Sequence, residues 1–365
     1  QVTFELTGAG STVNQSINGT ADAEGILKIS GAGATLTGKV GTTGTTSLLG
    51  IDVDATATFS ESSEATNYTI DADTTFTGAV LANTAFTVDT AGTDVILTAA
   101  SDLSLATVTA GTLTSNGLLT TTDLINTAGK VYLNVKNNEM GTGRYAAGDG
   151  AELHVGKAFV TTNNINTSST SDGEGNFAST AKIYLPSNLT SGETLKITDS
   201  GAFDEGDATK TAVTTAAAVN TILQDTALVD YSASAASAGA TVITITATDR
   251  TTSEVASQLS TTTNDATAAL KLMVALDAND TSGDTAAFTA FDNALKAQGG
   301  YSATEDTAFI KQTAPQTDLI SGSSVATKAM TGSLQGIMSN RMASLRSGDA
   351  FMTGMSAGNG MSANS

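Results

Sequence analysis

Cysteine and tryptophan are absent from this 365-residue sequence, and only two prolines and one histidine occur in it. Without cysteine the chain has no disulfide bond, no thiol nucleophile and no cysteine-ligated zinc site. The single histidine, His154, would have to serve as the base of any catalytic triad, because no other imidazole is present. It lies in the alternating stretch ELHV at residues 152–155, where an ordinary surface or interface side chain is the simpler interpretation. We therefore expect a protein that is not an enzyme.

Basic residues are scarce as well. The chain carries 16 Lys and Arg residues against 36 Asp and Glu residues, so its formal net charge at pH 7 is −20. Phosphate binding needs a clustered Lys/Arg surface, so we expect neither nucleic acid nor an anionic membrane surface as a partner. No apolar run approaches the roughly 18 residues of a membrane-spanning helix, so we expect no membrane-spanning segment in this chain. The chain starts at Gln1 and shows no basic segment followed by an apolar one, which indicates a polypeptide whose leading segment has been removed.

Threonine, alanine, serine, glycine and asparagine dominate instead, and a hydrophobic share of 40% is enough for a core. Polar residues separate Val2, Phe4 and Leu6, which predicts a first strand with one buried face. Between residues 76 and 135, short apolar stretches recur at intervals of about seven to ten residues, with Gly, Asn or Asp between them. This spacing is typical of a repetitive, mainly β fold.

Two architectures fit the rhythm of residues 1–150, which we interpret as a repetitive β domain. A β-helix or solenoid stacks short strands joined by small turn residues and needs few aromatic side chains. A β-sandwich or meander would use hairpins, and Asn116–Gly117 is a hairpin signal. Because aromatics are few and small residues many, we favour the β-helix or solenoid over the sandwich.

The rest of the chain divides into two further parts. Residues 151–250 form a second β-rich domain with loops, interrupted by a short helix at residues 216–224. After residue 250 the apolar period becomes helical, and Ala266 and Leu270 begin the first stripe of such a helix. We therefore expect a helical C-terminal region with a Gly/Ser/Met-rich tail over residues 251–365.

The clearest alternating stretch covers residues 51–59 and predicts one strand. It places Asp52 and Asp54 on the same face of that strand. Two carboxylates on one face could serve general acid–base chemistry. A solvated or ion-binding strand face is the simpler interpretation.

Calcium is the one cofactor that the sequence leaves open. Ca²⁺ takes six to eight oxygen ligands, which acidic loops can supply. Candidate ligands are Asp204 and Asp207 in one loop and Asp277 and Asp284 in another. The second loop begins like an EF-hand, but Ser282 stands where that motif has glycine, so a solvated turn or a helix cap competes with a calcium site.

The most helix-like segment covers residues 321–349. Its apolar residues recur at steps of three and four, which places them on one stripe of a helix. This stripe either caps the last β-coil or contacts another subunit, and the sequence leaves both roles open. The residues of the stripe are Met330, Leu334, Ile337, Met338, Met342 and Leu345.

Residues 337–349, IMSNRMASLRSGD, resemble the helical linker that precedes the translocator barrel in bacterial autotransporters. The Thr/Gly/Asn-rich β-repeats upstream are similar to the exported passenger regions of that family. The resemblance implies a passenger without its β-barrel, located outside the cell or at the bacterial cell surface. Members of that family are often adhesive or structural and sometimes enzymatic, and the missing catalytic constellation argues against the enzymatic role.

These observations predict a non-catalytic structural protein that assembles with copies of itself into an extracellular filament or surface layer. Strand edges and solenoid ends are templates for another chain unless they are covered. The strand at residues 2–7 and the terminal helices are the segments that we expect to join subunits. The alternative is a monomeric autotransporter adhesin that binds host cells or glycans.

Overall fold

The structure is a computed structural model, and it describes residues 2–42, 44, 46–134, 145–157, 164–166, 177–189, 191–198, 216–226, 228–235, 242–258 and 262–278. Over these residues the chain is mainly β-structure, and its helices lie in the C-terminal part. The predicted mainly β fold is therefore confirmed.

Two parallel sheets form the body, and the chain alternates between them. Sheet A consists of β1 (Thr3–Leu6), β3 (Ile26–Ile29), β5 (Leu48–Val53), β7 (Ser63–Ile70), β9 (Val80–Val88), β11 (Ser101–Val108), β13 (Leu119–Asn126) and β15 (Tyr145–Ala147). Sheet B consists of β2 (Thr12–Val13), β4 (Ala34–Leu36), β6 (Ala57–Phe59), β8 (Thr74–Phe76), β10 (Asp94–Leu97), β12 (Thr112–Ser115), β14 (Lys130–Leu133), β16 (Glu152–Val155), β18 (Lys182–Tyr184) and β20 (Leu223–Gln224). The chain thus coils through about seven turns of a β-solenoid. The preferred prediction is confirmed, and the sandwich is wrong for this part of the chain.

The core consists of side chains that point inward from successive coils and stack on one another. In β4, β6 and β8 the first and third residues are buried and the middle one is half-buried. The strand register aligns Leu36 with Phe59, and Phe59 with Phe76. The rings of Phe59 and Phe76 stack with their centroids 4.7 Å apart. Because parallel pairing aligns equivalent positions, one apolar residue in each coil is enough to build a continuous buried column.

The stretch 51–59, predicted as one strand, is two strands in different sheets. β5 ends at Val53 and β6 begins at Ala57, and a corner of the coil lies between them. Val53 and Ala57 are both buried, so the period-two alternation continues through the corner. A period-two pattern alone does not reveal such a bend, which is why the sequence predicts a single strand.

Asn116–Gly117 also lies at a corner and not in a hairpin. The strands on either side, β12 and β13, belong to different sheets. The Asn116 backbone N–H donates to the Leu97 carbonyl of the preceding coil at 2.8 Å. A Cβ atom at Gly117 would lie 2.2 Å from the carbonyl oxygen of Ala99. Glycine is therefore required by the close approach of two coils, and not by the φ > 0 of a hairpin turn.

The described residues also form a third sheet and three helices. Sheet C contains, in order, β17 (Asn164–Asn166), β19 (Thr194–Thr198), β22 (Val242–Asp249) and β21 (Val229–Ala235), and β22 is antiparallel to both of its neighbours. The helices are α1 (Ala216–Ile222), α2 (Thr252–Gln258) and α3 (Thr263–Ala278). α1 and α3 confirm the short helix and the first helical stripe predicted from the sequence. Glu254 Oε2 accepts the Thr251 N–H at 2.7 Å, and Thr251 Oγ1 accepts the Glu254 N–H at 3.3 Å, which forms a capping box for α2.

Phe76→Ala tests whether the aromatic column carries the stability of the solenoid. Phe76 is fully buried and its ring contacts those of Phe59, Tyr68 and Phe86. Removing it should lower the free energy of unfolding by about 3–5 kcal/mol, because a cavity remains between the coils. Urea unfolding followed by circular dichroism measures this loss.

The matched control is Thr75→Ala, at the adjacent outward-facing and half-buried position. This substitution should lower the free energy of unfolding by less than about 1 kcal/mol. If both variants lost the same free energy of unfolding, the inward-facing side chains would not be the core of the solenoid.

Candidate functional site

The predicted stripe and most of the predicted calcium ligands lie outside the described residues. This applies to the stripe residues Met330, Leu334, Ile337, Met338, Met342 and Leu345, and to Asp204, Asp207 and Asp284. Asp277 is described, and it lies in the last turn of α3. Its backbone therefore belongs to a helix and not to the start of the predicted acidic loop.

The N-terminal end of the solenoid is open in the described part of the chain. β1 and β2 are the first strands of sheets A and B, and each pairs with a strand on one side only. The register aligns Phe4 with Leu27, an inward-facing residue of the core column. Phe4 is therefore the terminal member of that column, and its side chain is 48% exposed.

The exposure of this end corrects the sequence analysis. Val2 is 77% exposed and Phe4 is 48% exposed, so the prediction of a buried face on the first strand is wrong for both residues. Leu6 is half-buried and packs against the core. An inward-facing side chain is buried only when a coil or another element covers it on both sides, and within the described residues β1 has a coil on one side.

The opposite end is covered by the same chain. β20 is the last strand of sheet B, and its Leu223 is buried. Val219 and Ile222 of α1 are buried beside it. The Tyr231 hydroxyl of sheet C donates to the Pro186 carbonyl at 2.9 Å. The two ends of the described solenoid therefore differ, because one is capped by tertiary structure and the other presents apolar side chains.

His154 lies on the outer face of sheet B between two tyrosines. The register aligns it with Tyr132 of β14 and Tyr184 of β18. Its ring centroid lies 4.2 Å from each tyrosine ring, at interplanar angles of 15° and 5°. Its Nε2 atom lies 3.1 Å from Glu152 Oε2, and Lys130 Nζ lies 3.3 Å from the same oxygen.

The contacts around His154 determine the charge of Glu152 and of the two tyrosines. The hydrogen bond with His154, together with Lys130, holds the pKa of the Glu152 carboxyl below its usual range. Burial raises the pKa of both Tyr132 and Tyr184 to about 12, so both tyrosines are neutral at pH 7. Both ring faces of His154 are covered, and the residue is almost fully buried. The geometry favours a packing role for this histidine, which is buried and is not the surface side chain that the sequence interpretation expected.

Asp52 and Asp54, predicted on one strand face, belong to a carboxylate cluster on the outer surface. Oxygens of Asp52, Asp54 and Asp71 lie within 4.8 Å of one another. Lys28 Nζ lies 3.1 Å from an Asp52 oxygen and 2.6 Å from an Asp54 oxygen, and these hydrogen bonds raise the pKa of Lys28. A hydrogen bond with the Asp89 carboxyl raises the pKa of Asp71. Lys28 therefore supplies the counter-charge for the first two carboxylates.

No protein-family model, no curated protein and no solved structure matches this chain. Within the described residues, no helix combines the length and the apolarity that crossing a bilayer requires. The class of protein is therefore defined by the fold: a parallel β-solenoid with a small mixed sheet and helices in the C-terminal part of the described chain.

Sequence analysis did not identify Lys28 or the two tyrosines that enclose His154. Lys28 and Asp52 are 24 residues apart, and they meet only because they occupy equivalent positions on adjacent coils. The sequence could reveal these contacts only if the residues of successive coils were first aligned. The outward-facing residues at equivalent positions would then be seen to be neighbours.

Glu152→Gln tests the charge at the histidine stack. Because the pKa of Glu152 is lowered in the folded state, its ionised form stabilises the fold above the unfolded-state value of about 4.3. That stabilisation is lost as the pH falls through the folded-state pKa. The variant should therefore be less stable than the wild type at pH 7, and the difference should shrink from about pH 5 to about pH 2 in urea unfolding.

A His154→Phe background provides the control, because phenylalanine keeps a ring between the tyrosines but lacks the nitrogen. In that background Glu152→Gln should lower the free energy of unfolding at pH 7 by a smaller amount, as expected for coupled residues. An equal decrease in both backgrounds would show that His154 does not stabilise the carboxylate.

Lys28→Met tests the carboxylate cluster. Without the ammonium group, the three neighbouring aspartates repel one another, so the variant should melt at a lower temperature in low-salt buffer. Added NaCl should narrow the difference, since salt screens exposed charges. Lys39→Met, at an exposed position, is the control. If the difference in melting temperature between Lys28→Met and the wild type did not change with salt, Lys28 would act through its alkyl chain and not through its charge.

Proposed function

We propose that this protein is a non-catalytic structural component of a bacterial cell surface, and that it assembles with copies of itself into a filament or surface layer. The observation that carries the proposal is the open N-terminal end. Within the described residues, no strand pairs with the outer edge of β1, and both Phe4 and Val2 are exposed.

The open end suits another chain for two reasons. The outer edge of β1, which pairs with no strand of the described residues, presents backbone N–H and C=O groups that a further strand can pair with. Phe4 is about half exposed, so its burial contributes roughly half of the about 1.5–3 kcal/mol of a fully exposed side chain, and this adds to the strand pairing. The partner in this proposal is a second copy of the chain.

A polymer also needs a second, different surface. Pairing of one open end with another open end gives a closed two-fold pair, whereas a head-to-tail contact continues indefinitely unless it closes into a ring. The apolar stripe predicted over Met330 to Leu345 is the candidate for this second surface. The formal charge of −20 makes copies repel one another, so assembly should increase with ionic strength.

Export and surface location are proposed from the resemblance of residues 337–349 to the autotransporter linker. The repetitive parallel solenoid is compatible with such a passenger. The position of His154 supports a non-catalytic role, because the residue is buried and its Nε2 atom lies within hydrogen-bonding distance of Glu152.

Phe4→Glu tests the role of the open end. A carboxylate on the last member of the column should oppose association between acidic copies and leave the solenoid folded, since Phe4 is half exposed. Light scattering across a range of protein and salt concentrations should show assembly of the wild type and a marked loss of it in the variant. Electron microscopy should show filaments or sheets for the wild type alone.

Leu118→Glu is the matched control. Leu118 is 36% exposed at the corner between β12 and β13, so the substitution adds the same charge at a surface that the proposal does not use. Assembly of this variant should equal that of the wild type. Wild-type protein that stays monomeric at all concentrations would contradict the proposal and favour a monomeric adhesin.

Met338→Asp combined with Met342→Asp tests the predicted stripe. If the stripe joins subunits, the variant should give a folded monomer, by circular dichroism and melting temperature, that no longer assembles. If the stripe caps the last coil of its own chain, the monomer itself should unfold.

A further inference from the structure

The outer edge of β1 presents backbone groups at two positions. The carbonyls of Val2 and Leu6 accept backbone N–H groups of the following coil, both at 2.9 Å. The backbone groups of successive residues in a strand point to alternate edges, so those of Phe4 also point towards the following coil. Those of Thr3 and Glu5 point to the outer edge, where no strand of the described residues pairs with them.

The outer edge of β21 in sheet C is closed by side chains, in contrast to that of β1. Asn220 Oδ1 accepts the Ala233 N–H at 2.6 Å, and Asn220 Nδ2 donates to the Ala233 carbonyl at 3.2 Å. Asp225 Oδ1 accepts the Tyr231 N–H at 2.8 Å. Side chains that bind these backbone groups block the addition of a further strand. The edge of β1 is therefore the better candidate for pairing with another copy of the chain.

The residue pattern of β1 fits an antiparallel pair of two identical strands. If the pair is centred on Phe4, Thr3 lies opposite Glu5 of the second copy, and the two residues exchange both backbone hydrogen bonds. Phe4 then lies opposite Phe4 of the second copy, and Val2 lies opposite Leu6, at the closer non-hydrogen-bonded positions. A two-fold axis normal to sheet A keeps the apolar side chains of both copies on the inward face. The strand is thus complementary to itself, as a two-fold contact requires.

Other antiparallel registers fit less well. A pair centred on Glu5 would place two carboxylates directly opposite each other, which is unfavourable. A pair centred on Thr3 would join only residues 2–4. A shift by a single residue would place the apolar side chains of the second copy on the outer face. In the register centred on Phe4 the two Glu5 residues are diagonal neighbours, with their Cα atoms about 7–8 Å apart, and salt screens their repulsion.

We infer that two copies of this chain form a two-fold dimer through β1, in the antiparallel register centred on Phe4. The inference rests on the proposed assembly and specifies its N-terminal contact. The dimer covers Phe4 and Val2, which are 48% and 77% exposed in the single chain. Leu6 and Ile17, which are partly buried against the core, lie at the same end and are shielded with them. Growth of a filament or layer then requires a different surface, because a two-fold contact closes on itself.

Single-cysteine variants test the register, because the chain contains no cysteine. The Cα atoms of a non-hydrogen-bonded pair lie about 4.5 Å apart, a distance that a disulfide can bridge. In a glutathione redox buffer, two Phe4→Cys chains should be oxidised to a disulfide-linked dimer while oxidised glutathione is reduced to its thiol form. Thiols held together in a dimer have a local concentration in the millimolar range. At micromolar protein, Phe4→Cys should therefore cross-link at least about ten times faster than Val2→Cys alone.

Val2→Cys mixed with Leu6→Cys is the second arm of the experiment, and it leaves Phe4 in place. Val2 of one copy lies opposite Leu6 of the other, so the mixture should give a cross-linked heterodimer, identified by mass spectrometry of the linked peptides. Each of these two variants alone should form little disulfide dimer at the same protein and salt concentrations. Circular dichroism and melting temperature establish that all variants are folded.

Light scattering of the wild type separates failure of the β1 dimer from failure of the proposed assembly. If the wild type assembles but neither Phe4→Cys nor the mixture cross-links, the β1 dimer is wrong and assembly uses another contact. Val2→Cys that cross-links with itself as fast as Phe4→Cys would also overturn the inference. If the wild type stays monomeric and no disulfide dimer forms, both the β1 dimer and the proposed assembly are contradicted.

Discussion

The register between parallel coils is the constraint on which the rest of this structure depends. Each coil places a few apolar residues directly above those of the coil before it, as Phe76 lies above Phe59. Burial of these columns provides the main driving force for folding, and the backbone ladder keeps the register. Because the coil is narrow, small residues at the corners are as necessary as large residues in the columns. Gly117 shows this where two coils nearly touch.

The same register determines the chemistry of the outer surface. A residue that faces outward in one coil lies against the equivalent residue of the next, whatever its type. Lys28 therefore meets Asp52, and His154 lies between two tyrosines. Thr35, Thr58 and Thr75 are likewise aligned on three successive coils of sheet B. Specific surface properties thus follow from one-dimensional repetition and do not require a pocket.

The two ends of the described solenoid differ in how the apolar side chains of the core are covered. The C-terminal end is covered by α1 and sheet C, with Leu223 buried between elements. Phe4 is the first member of the column within the described residues, and it is about half exposed. The terminal repeats of a solenoid need a polar cap for solubility, and a partner chain can also cover apolar surface there. The proposed assembly is one way to satisfy this requirement.

The sequence by itself determined the fold class, because short alternating strands, abundant small residues and few aromatics are compatible with little other than a solenoid or a sandwich. It did not distinguish the corner at residues 54–56 from a continuing strand, because the inward–outward alternation passes through both. It also did not reveal the partner of Lys28 or the enclosure of His154. Those contacts depend on which residues lie above one another, and the number of residues per turn varies from coil to coil. Only the tertiary structure decided that alignment, since the buried column selects the register that brings distant residues together.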